Sequence, residues 1–142
     1  MTDFDKIVRF IVANKVLTLC TVRDGQPWAA NCFYAFDPGR VAFLCLSSIE
    51  TRHGSEMRDH DQVAGTVSSQ QATVARIRGL QFSGIAVLQE GEAEAVGRSL
   101  YYKRFPFARL YPAPLWAIVL ETMKYTDNSF GFGTKFHWRR SR

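Results

Sequence analysis

The densest concentration of chemically competent side chains lies between Val41 and Arg58, where the chain reads VAFLCLSSIETRHGSEMR. An apolar run, Val41 to Leu46, stops at Ser47 and Ser48, and a polar, helix-capable segment carrying Thr51, Arg52 and His53 follows at once. That pattern is a strand feeding a helix. With Ser48 expected as the N-cap, the first-turn amides stay unpaired at the end where hydroxyls, a guanidinium and an imidazole gather. Unpaired amides, the positive end of the helix dipole and a fork-shaped arginine together suit a phosphate dianion. The same residues also describe a capped surface helix with Arg52 facing water, and the local sequence leaves both readings open.

Other chemistries find little support. His53, His60 and His137 are dispersed and lack HxxxH or HExxH spacing, so no metal site is expected. Cys20, Cys32 and Cys45 are odd in number, lack CxxC spacing and lie inside apolar runs, which reads as reduced core cysteines. Gly131-x-Gly133 lacks the third glycine and the βαβ context of a dinucleotide fingerprint. No nucleophile elbow occurs, and the sparse carboxylates leave acid–base work to a histidine or a cofactor.

The elements that must carry these residues read mostly as strands. Thr2 with Asp5 forms a capping-box start, and Phe4, Ile7, Val8, Ile11 and Val12 recur at helical spacing, which predicts a helix over about residues 3 to 13. Val16 to Val22, a turn at Asp24-Gly25, a long strand from Trp28 to Phe36, a turn at Asp37-Pro38-Gly39 and a strand from Val41 to Leu46 suggest a three-stranded meander. Further strands are expected at Val63 to Val67, Thr73 to Leu88, Leu115 to Thr126 and Lys135 to Trp138. Gly79 and Gly84 mark bends in the second of these, and a helix over Glu92 to Phe105 turns Val96, Leu100 and Tyr101 inward. The fold class that follows is mainly β, a small antiparallel barrel with covering helices, in one domain over residues 1–142.

The chain has 142 residues, 46% hydrophobic and 22% charged, enough apolar content for a real core. No segment approaches the roughly 18 unbroken apolar residues of a membrane helix, and the first residues are acidic where a signal peptide would be basic, so a cytoplasmic location without membrane contact is expected. A net charge of +5 makes an anionic partner worth weighing. The basic residues are scattered except for Arg139, Arg140 and Arg142, which read as a solubilising tail. Nucleic acid is disfavoured because the aromatics occupy apolar strand positions rather than a stacking platform.

Ser47 and the block Thr51-Arg52-His53, followed by Met57 and by Val63 opening the next strand, resemble the flavin-phosphate segment of the pyridoxamine 5'-phosphate oxidase-like split barrels. The whole chain is similar to the bacterial YhbP family through NCFY (Asn31 to Tyr34), TRH (Thr51 to His53), VAGTV (Val63 to Val67), IRGLQF (Ile77 to Phe82), RFP (Arg104 to Pro106) and TDNSFGFG (Thr126 to Gly133). The resemblance implies a Greek-key split barrel of the FMN-binding type that forms a homodimer with FMN at the subunit interface. It places the phosphate near Ser47, Thr51, Arg52 and His53, and the flavin ring along Asn31, Cys32 and Phe33. The chain departs from the oxidases at His53, where they carry lysine, and at Val74, where they carry glutamine.

Two functions stay open: an FMN-dependent oxidoreductase acting on a small-molecule substrate, or a module that binds a flavin, haem or another anionic ligand without turnover. Trp28, Phe33, Trp116, Phe130, Phe132 and Trp138 exceed what one small core readily hides, so some are expected between subunits. The TDNSFGFGTK segment is expected either as an ordered loop bringing Lys135 near the ligand or as an ordinary hairpin turn.

Overall fold

Ile7, Phe10 and Ile11 supply the buried stripe of α1 (Asp3–Ala13), the first element of a computed structural model that describes residues 1–142. Thr2 caps it reciprocally: its hydroxyl accepts from the Asp5 amide at 3.1 Å, and its own amide donates to the Asp5 carboxylate at 2.9 Å. Two orphan donors of the first turn are thereby satisfied. The strands β1 (Val16–Arg23) and β2 (Gln26–Phe33) form a hairpin. Its turn residues, Asp24 and Gly25, both have positive φ, 52° and 74°, as a type I′ connection needs.

Next come β3 (Ala35–Asp37), β4 (Ala42–Leu46), α2 (Arg52–Asp59), β5 (Gln62–Ser68), β6 (Arg78–Leu88), α3 (Gly91–Arg104), β7 (Leu115–Asp127) and β8 (Lys135–Arg139). The sheet runs β2-β1-β5-β6-β7-β4-β3, with all pairs antiparallel. The long β7 is shared: β4 pairs with Leu115–Val119 and β8 with Thr122–Thr126. In this order β2 and β3 stand at opposite ends, yet Tyr34 alone separates them in the chain. The sheet must therefore curl back on itself, and the result is a split antiparallel barrel.

That topology replaces the meander and divides the expected Trp28 to Phe36 strand. Tyr34 is fully buried, its hydroxyl donates to the Ile11 carbonyl at 2.6 Å, and its amide bonds Lys15 at 2.9 Å as the chain crosses to the other end of the sheet. The expected strand from Thr73 begins only at Arg78, because Val74–Arg76 form a short 3-10 turn. Gly84 does mark a bend: the register shifts at Ser83/Gly84, and a Cβ on Gly84 would stand 2.6 Å from the Val119 carbonyl oxygen. In α3 the buried positions are Gly97 and Tyr101, whereas Val96 faces solvent. Gly97 is turned inward because the helix lies close over β7, where a Cβ would come within 2.9 Å of Leu115.

The barrel interior holds the main core, including Leu17, Leu19, Phe43, Leu80, Phe82, Trp116 and Ile118. A smaller cluster, with Leu44, Tyr101 and Leu115, forms where α3 covers β3, β4 and β7. Trp116 is 2% exposed, so it leaves the set of aromatics expected between subunits, while Trp28, Phe33, Phe130 and Phe132 remain exposed. Arg140 is not part of a free tail. Its guanidinium donates to the carbonyls of Leu120 (2.7 Å), Arg40 (2.8 Å) and Val41 (3.1 Å), fastening the C-terminal strand over Val41, a β-branched residue at φ 51°. No helix is long and apolar enough to cross a membrane.

Candidate functional site

Strand β4 ends by delivering Ser47 into a buried position. Its amide donates to the Pro114 carbonyl at 3.0 Å, and its carbonyl accepts from Trp116 Nε1 at 3.1 Å. The next residues fold into a tight turn in which the Ser48 carbonyl accepts from both the Thr51 amide (3.2 Å) and the Thr51 hydroxyl (2.6 Å). Thr51, not Ser48, caps α2, since its Oγ1 accepts from the Gly54 amide at 3.1 Å. Ser48 lies one turn too early and instead accepts from the Glu50 amide. Gly54 makes the turn possible, because a Cβ there would stand 2.1 Å from the Ser48 oxygen. The amides of Arg52 and His53 have no partner within the chain and point out of the helix end.

Arg52 sits at that end with its charge partly engaged. Its Nε donates to Glu56 Oε2 at 3.2 Å, and its guanidinium carbon lies 4.1 Å from the Trp28 ring centroid. Only Nε is used, so the two terminal nitrogens stay free for a bidentate acceptor. Glu56 is 1% exposed, and its Oε1 has no partner. The turn therefore holds one arginine balanced by one buried carboxylate. Glu56 was legible as the i,i+4 partner of Arg52 on any helix beginning there. Trp28 was not, because it arrives from a strand far away in the chain.

Behind the turn lies a second group of side chains. Ser47 Oγ and His53 Nε2 are 2.9 Å apart, a hydrogen bond whose direction follows the imidazole tautomer. Cys32 on β2 and Cys45 on β4 are buried in the same core cluster. The neighbouring Cys45 thiol, helped by His53 and Ser47, pulls the Cys32 thiol below its ordinary range despite burial. The Cys32 thiol beside it, together with complete burial, pushes the Cys45 thiol upward. The sequence showed two cysteines in separate apolar strands, and only the curl of the sheet brings them together.

On β2 successive side chains alternate between faces. Cys32 shares the inner face with Trp28 and Ala30, whereas Asn31 and Phe33 project outward. Asn31 Oδ1 accepts from the Thr18 hydroxyl at 2.7 Å, and Phe33 packs edge-on against Phe105 at 5.6 Å. Lys135 is not brought to the turn within one chain. It pairs with Thr126, about 33 Å along β7 from Trp116 at the usual rise per residue, and its Nζ donates to the Gly133 carbonyl at 3.0 Å. A surface cleft of about 600 Å³ lined by Gln81, Ser83, Thr122, Lys124, His137 and Trp138 also excludes the turn. Within one chain, then, Ser47, Thr51, Arg52, His53 and Cys32 cluster, Asn31 and Phe33 flank them on the outer face, and Lys135 stands apart.

No family model matches the chain. Among curated proteins it is similar to a UPF0306 protein of Citrobacter koseri, 46% identical over 141 residues, covering 99% of this chain and 97% of that one. It is likewise similar to the UPF0306 protein YhbP of Escherichia fergusonii, 45% identical over 141 residues, covering 99% and 96%. Among solved structures it superposes on a heme binding protein from Mycobacterium smegmatis with a TM-score of 0.85 at 18% identity. That match covers 98% of this chain but 58% of the other, so this chain spans little more than half of its length. A FAD-binding protein of Mesorhizobium loti superposes with a TM-score of 0.72 at 17% identity, covering 86% of this chain and 90% of that one. At these identities the likeness concerns the fold alone.

Proposed function

We infer that this chain, which belongs to the UPF0306 family, is an FMN-dependent oxidoreductase that binds the cofactor's phosphate at the head of α2 and acts on a small-molecule substrate. The observation that carries the reading is the donor set at that helix end: the free amides of Arg52 and His53, the Thr51 cap and the two unused guanidinium nitrogens of Arg52. A phosphate fits these donors, and the helix dipole adds to them. Trp28 holds the guanidinium plane in place from below, so little side-chain freedom is lost when the fork closes on its ligand. Bound FMN would supply the electron transfer, which is why no protein nucleophile or metal cluster is required. The chain's own part is to seat the phosphate, to shield the ring with Phe33 and to offer Asn31 as a polar contact on the outer face of β2.

We place the ring at the interface of a homodimer of single-domain, cytoplasmic subunits. Strand β2 is a sheet edge of eight residues, QPWAANCF, without one charge, and Trp28 and Phe33 are exposed on it. Soluble proteins blunt or cover such an edge, and a second copy covers it most simply. A second copy is also what Lys135 needs in order to join the site. Light scattering at micromolar concentration tests this: a dimer mass is expected, and a monomer mass near 16 kDa refutes the interface.

A second reading is favoured by Glu56, whose buried carboxylate already balances Arg52 and weakens the attraction for a dianion. In that reading the chain is a non-catalytic module for a flavin or a haem, the ligands named for the two solved relatives of its fold. Absorbance of the purified protein after incubation with FMN, FAD or haemin identifies the ligand. Bleaching of a bound flavin by NADH or NADPH supports the oxidoreductase. A bound flavin that no donor bleaches, or a haem spectrum, supports the module, and no uptake of any of the three overturns both.

A further inference from the structure

We propose that the end of the barrel remote from the head of α2 carries a second anion site, which takes a small organic phosphate monoester. The place is a cavity of about 340 Å³ enclosed by α1, the start of β6 and the turn that follows β7. Barrel mouths are recurrent ligand sites, and pockets for small molecules begin at about 300 Å³. From α1 come Lys6, Arg9, Phe10 and Ala13, four positions that share one helix face. From the sheet come Arg78 and Asp127, directly opposite each other in register. They continue the alternation of the buried Leu80 and Tyr125, so both lie on the inner face of the sheet. Arg52 and the head of α2 lie at the Trp116 end of β7, so this site is independent of the one assigned to FMN.

Unbalanced charge marks the cavity. Lys6, Arg9 and Arg78 line it with a single carboxylate, that of Asp127. Asp127 is 3% exposed, and neutral donors take both of its oxygens: Oδ2 accepts from the Tyr125 hydroxyl at 2.8 Å, and Oδ1 from the Ser129 amide at 2.9 Å and the Ser129 hydroxyl. Arg78 faces this carboxylate across the ladder and forms no ion pair with it, and no carboxylate stands within ion-pair distance of Lys6 or Arg9. Asp5, the neighbour of Lys6, accepts from the Thr2 amide instead. Two aromatic faces hold Lys6, its Nζ lying 4.5 Å from the Phe136 ring centroid and 5.6 Å from that of Phe130.

Three cations against one carboxylate leave two positive charges in excess, and a dianion cancels them. A phosphoryl group brings close to two negative charges at neutral pH and three acceptor oxygens, which suit two arginine forks and an ammonium. The cavity has about ten times one water's share of liquid volume, so an organic group fits beside the phosphate. Gln71 and Ser129 offer that group polar contacts, and Phe130, 59% exposed, offers it an apolar wall. The wall is fixed in place. Asn128 donates through Nδ2 to the Val74 carbonyl at 2.8 Å, accepts from the Gly133 amide at 2.9 Å, and its own amide donates to the Ile77 carbonyl at 3.0 Å.

Calorimetric titration of the full-length Arg52→Ala protein tests the site with the fork at α2 removed, so the outcome is separate from whether FMN binds there. At about pH 8 the phosphoryl group is a dianion. Glycerol 3-phosphate should bind once per chain with a dissociation constant below about 1 mM, and glycerol should not bind. Adding Arg78→Ala or Lys6→Met should each weaken binding about tenfold, whereas Lys103→Ala, which removes an exposed cation on α3, should leave it unchanged. Inorganic phosphate should bind about tenfold more weakly than the ester, since it cannot reach Phe130 and Gln71. Amide shifts in NMR should centre on Lys6, Gln71, Arg78 and Ser129 as the ester is added. Absence of saturable binding, unchanged affinity in Arg78→Ala or Lys6→Met, an equal loss in Lys103→Ala, inorganic phosphate binding as tightly as the ester, or shifts centred elsewhere would each overturn the proposal.

Discussion

Replacing Arg52 by alanine removes the charged fork from the head of α2, and two magnitudes separate what that does to binding from what it does to folding. A charge-assisted hydrogen bond contributes about 1.5–3 kcal/mol. Arg52 is 46% exposed and already shares Nε with Glu56, so the lower end applies, and FMN affinity should fall about tenfold at roughly 1.4 kcal/mol per decade. The folding effect is independent of the ligand. Glu56 is buried with one oxygen unpartnered, and losing Arg52 leaves the whole carboxylate uncompensated, at about 1–3 kcal/mol. The double variant Arg52→Ala/Glu56→Gln should recover the stability and not the FMN affinity. Glu56→Gln alone should tighten FMN binding, because it removes a negative charge from beneath the phosphate while Oε still accepts from Arg52. Arg52→Lys should rescue only part of the affinity, since an ammonium cannot reproduce the fork. Riboflavin, lacking the phosphate, is the control and should bind wild type and Arg52→Ala equally. Fluorescence titration of both flavins with a thermal melt of each variant reads all of this. Unchanged FMN affinity in a folded Arg52→Ala protein, or an equal loss for riboflavin, refutes a phosphate at this turn.

Gly54→Ala should destabilise the protein by about 1–3 kcal/mol, because its Cβ would press on the Ser48 carbonyl, and the denaturant midpoint should fall accordingly. A wild-type midpoint in this variant would mean that the turn opens freely. Arg140→Ala should cost roughly 1.5–3 kcal/mol by releasing three carbonyl contacts above Val41, with Arg140→Lys restoring only part; a free tail would show no effect in the same melt. Asp127 is buried, which raises its pKa, but hydrogen bonds from Ser129 and Tyr125 outweigh this and hold the carboxyl below its ordinary value. Its stabilisation is therefore complete above the unfolded value of about 3.9 and is lost as pH falls through the lower folded value. The difference in melting temperature between wild type and Asp127→Asn should stay constant above about pH 4 and close below it, and a gap that persists in acid would refute the assignment.

Local patterns were enough for the elements whose causes are local. The capping box of Thr2 and Asp5, the Asp24-Gly25 turn and the strands other than those expected over Trp28 to Phe36 and Thr73 to Leu88 are decided by neighbours a few residues apart, and they stand within a residue or two of their expected places. The strand-to-helix passage from β4 into α2 was legible for the same reason, as were Thr51, Arg52 and His53 at its head. Its cap was misplaced at Ser48, because which of several hydroxyls meets the orphan amide depends on a turn of ångström-scale geometry that Gly54 permits. The pairing of strands was not legible. Tyr34 reads as one more strand residue until its hydroxyl finds Ile11 and carries the chain from one end of the sheet to the other. That closure brings Trp28 under Arg52 and gathers Cys32 and Cys45 into one buried cluster, so the charge balance of the turn belongs to the tertiary structure. Residue type and spacing set what each side chain is able to do, whereas the groups facing it across the barrel decide its proton and its partner, and those groups come from strands whose order no local pattern encodes.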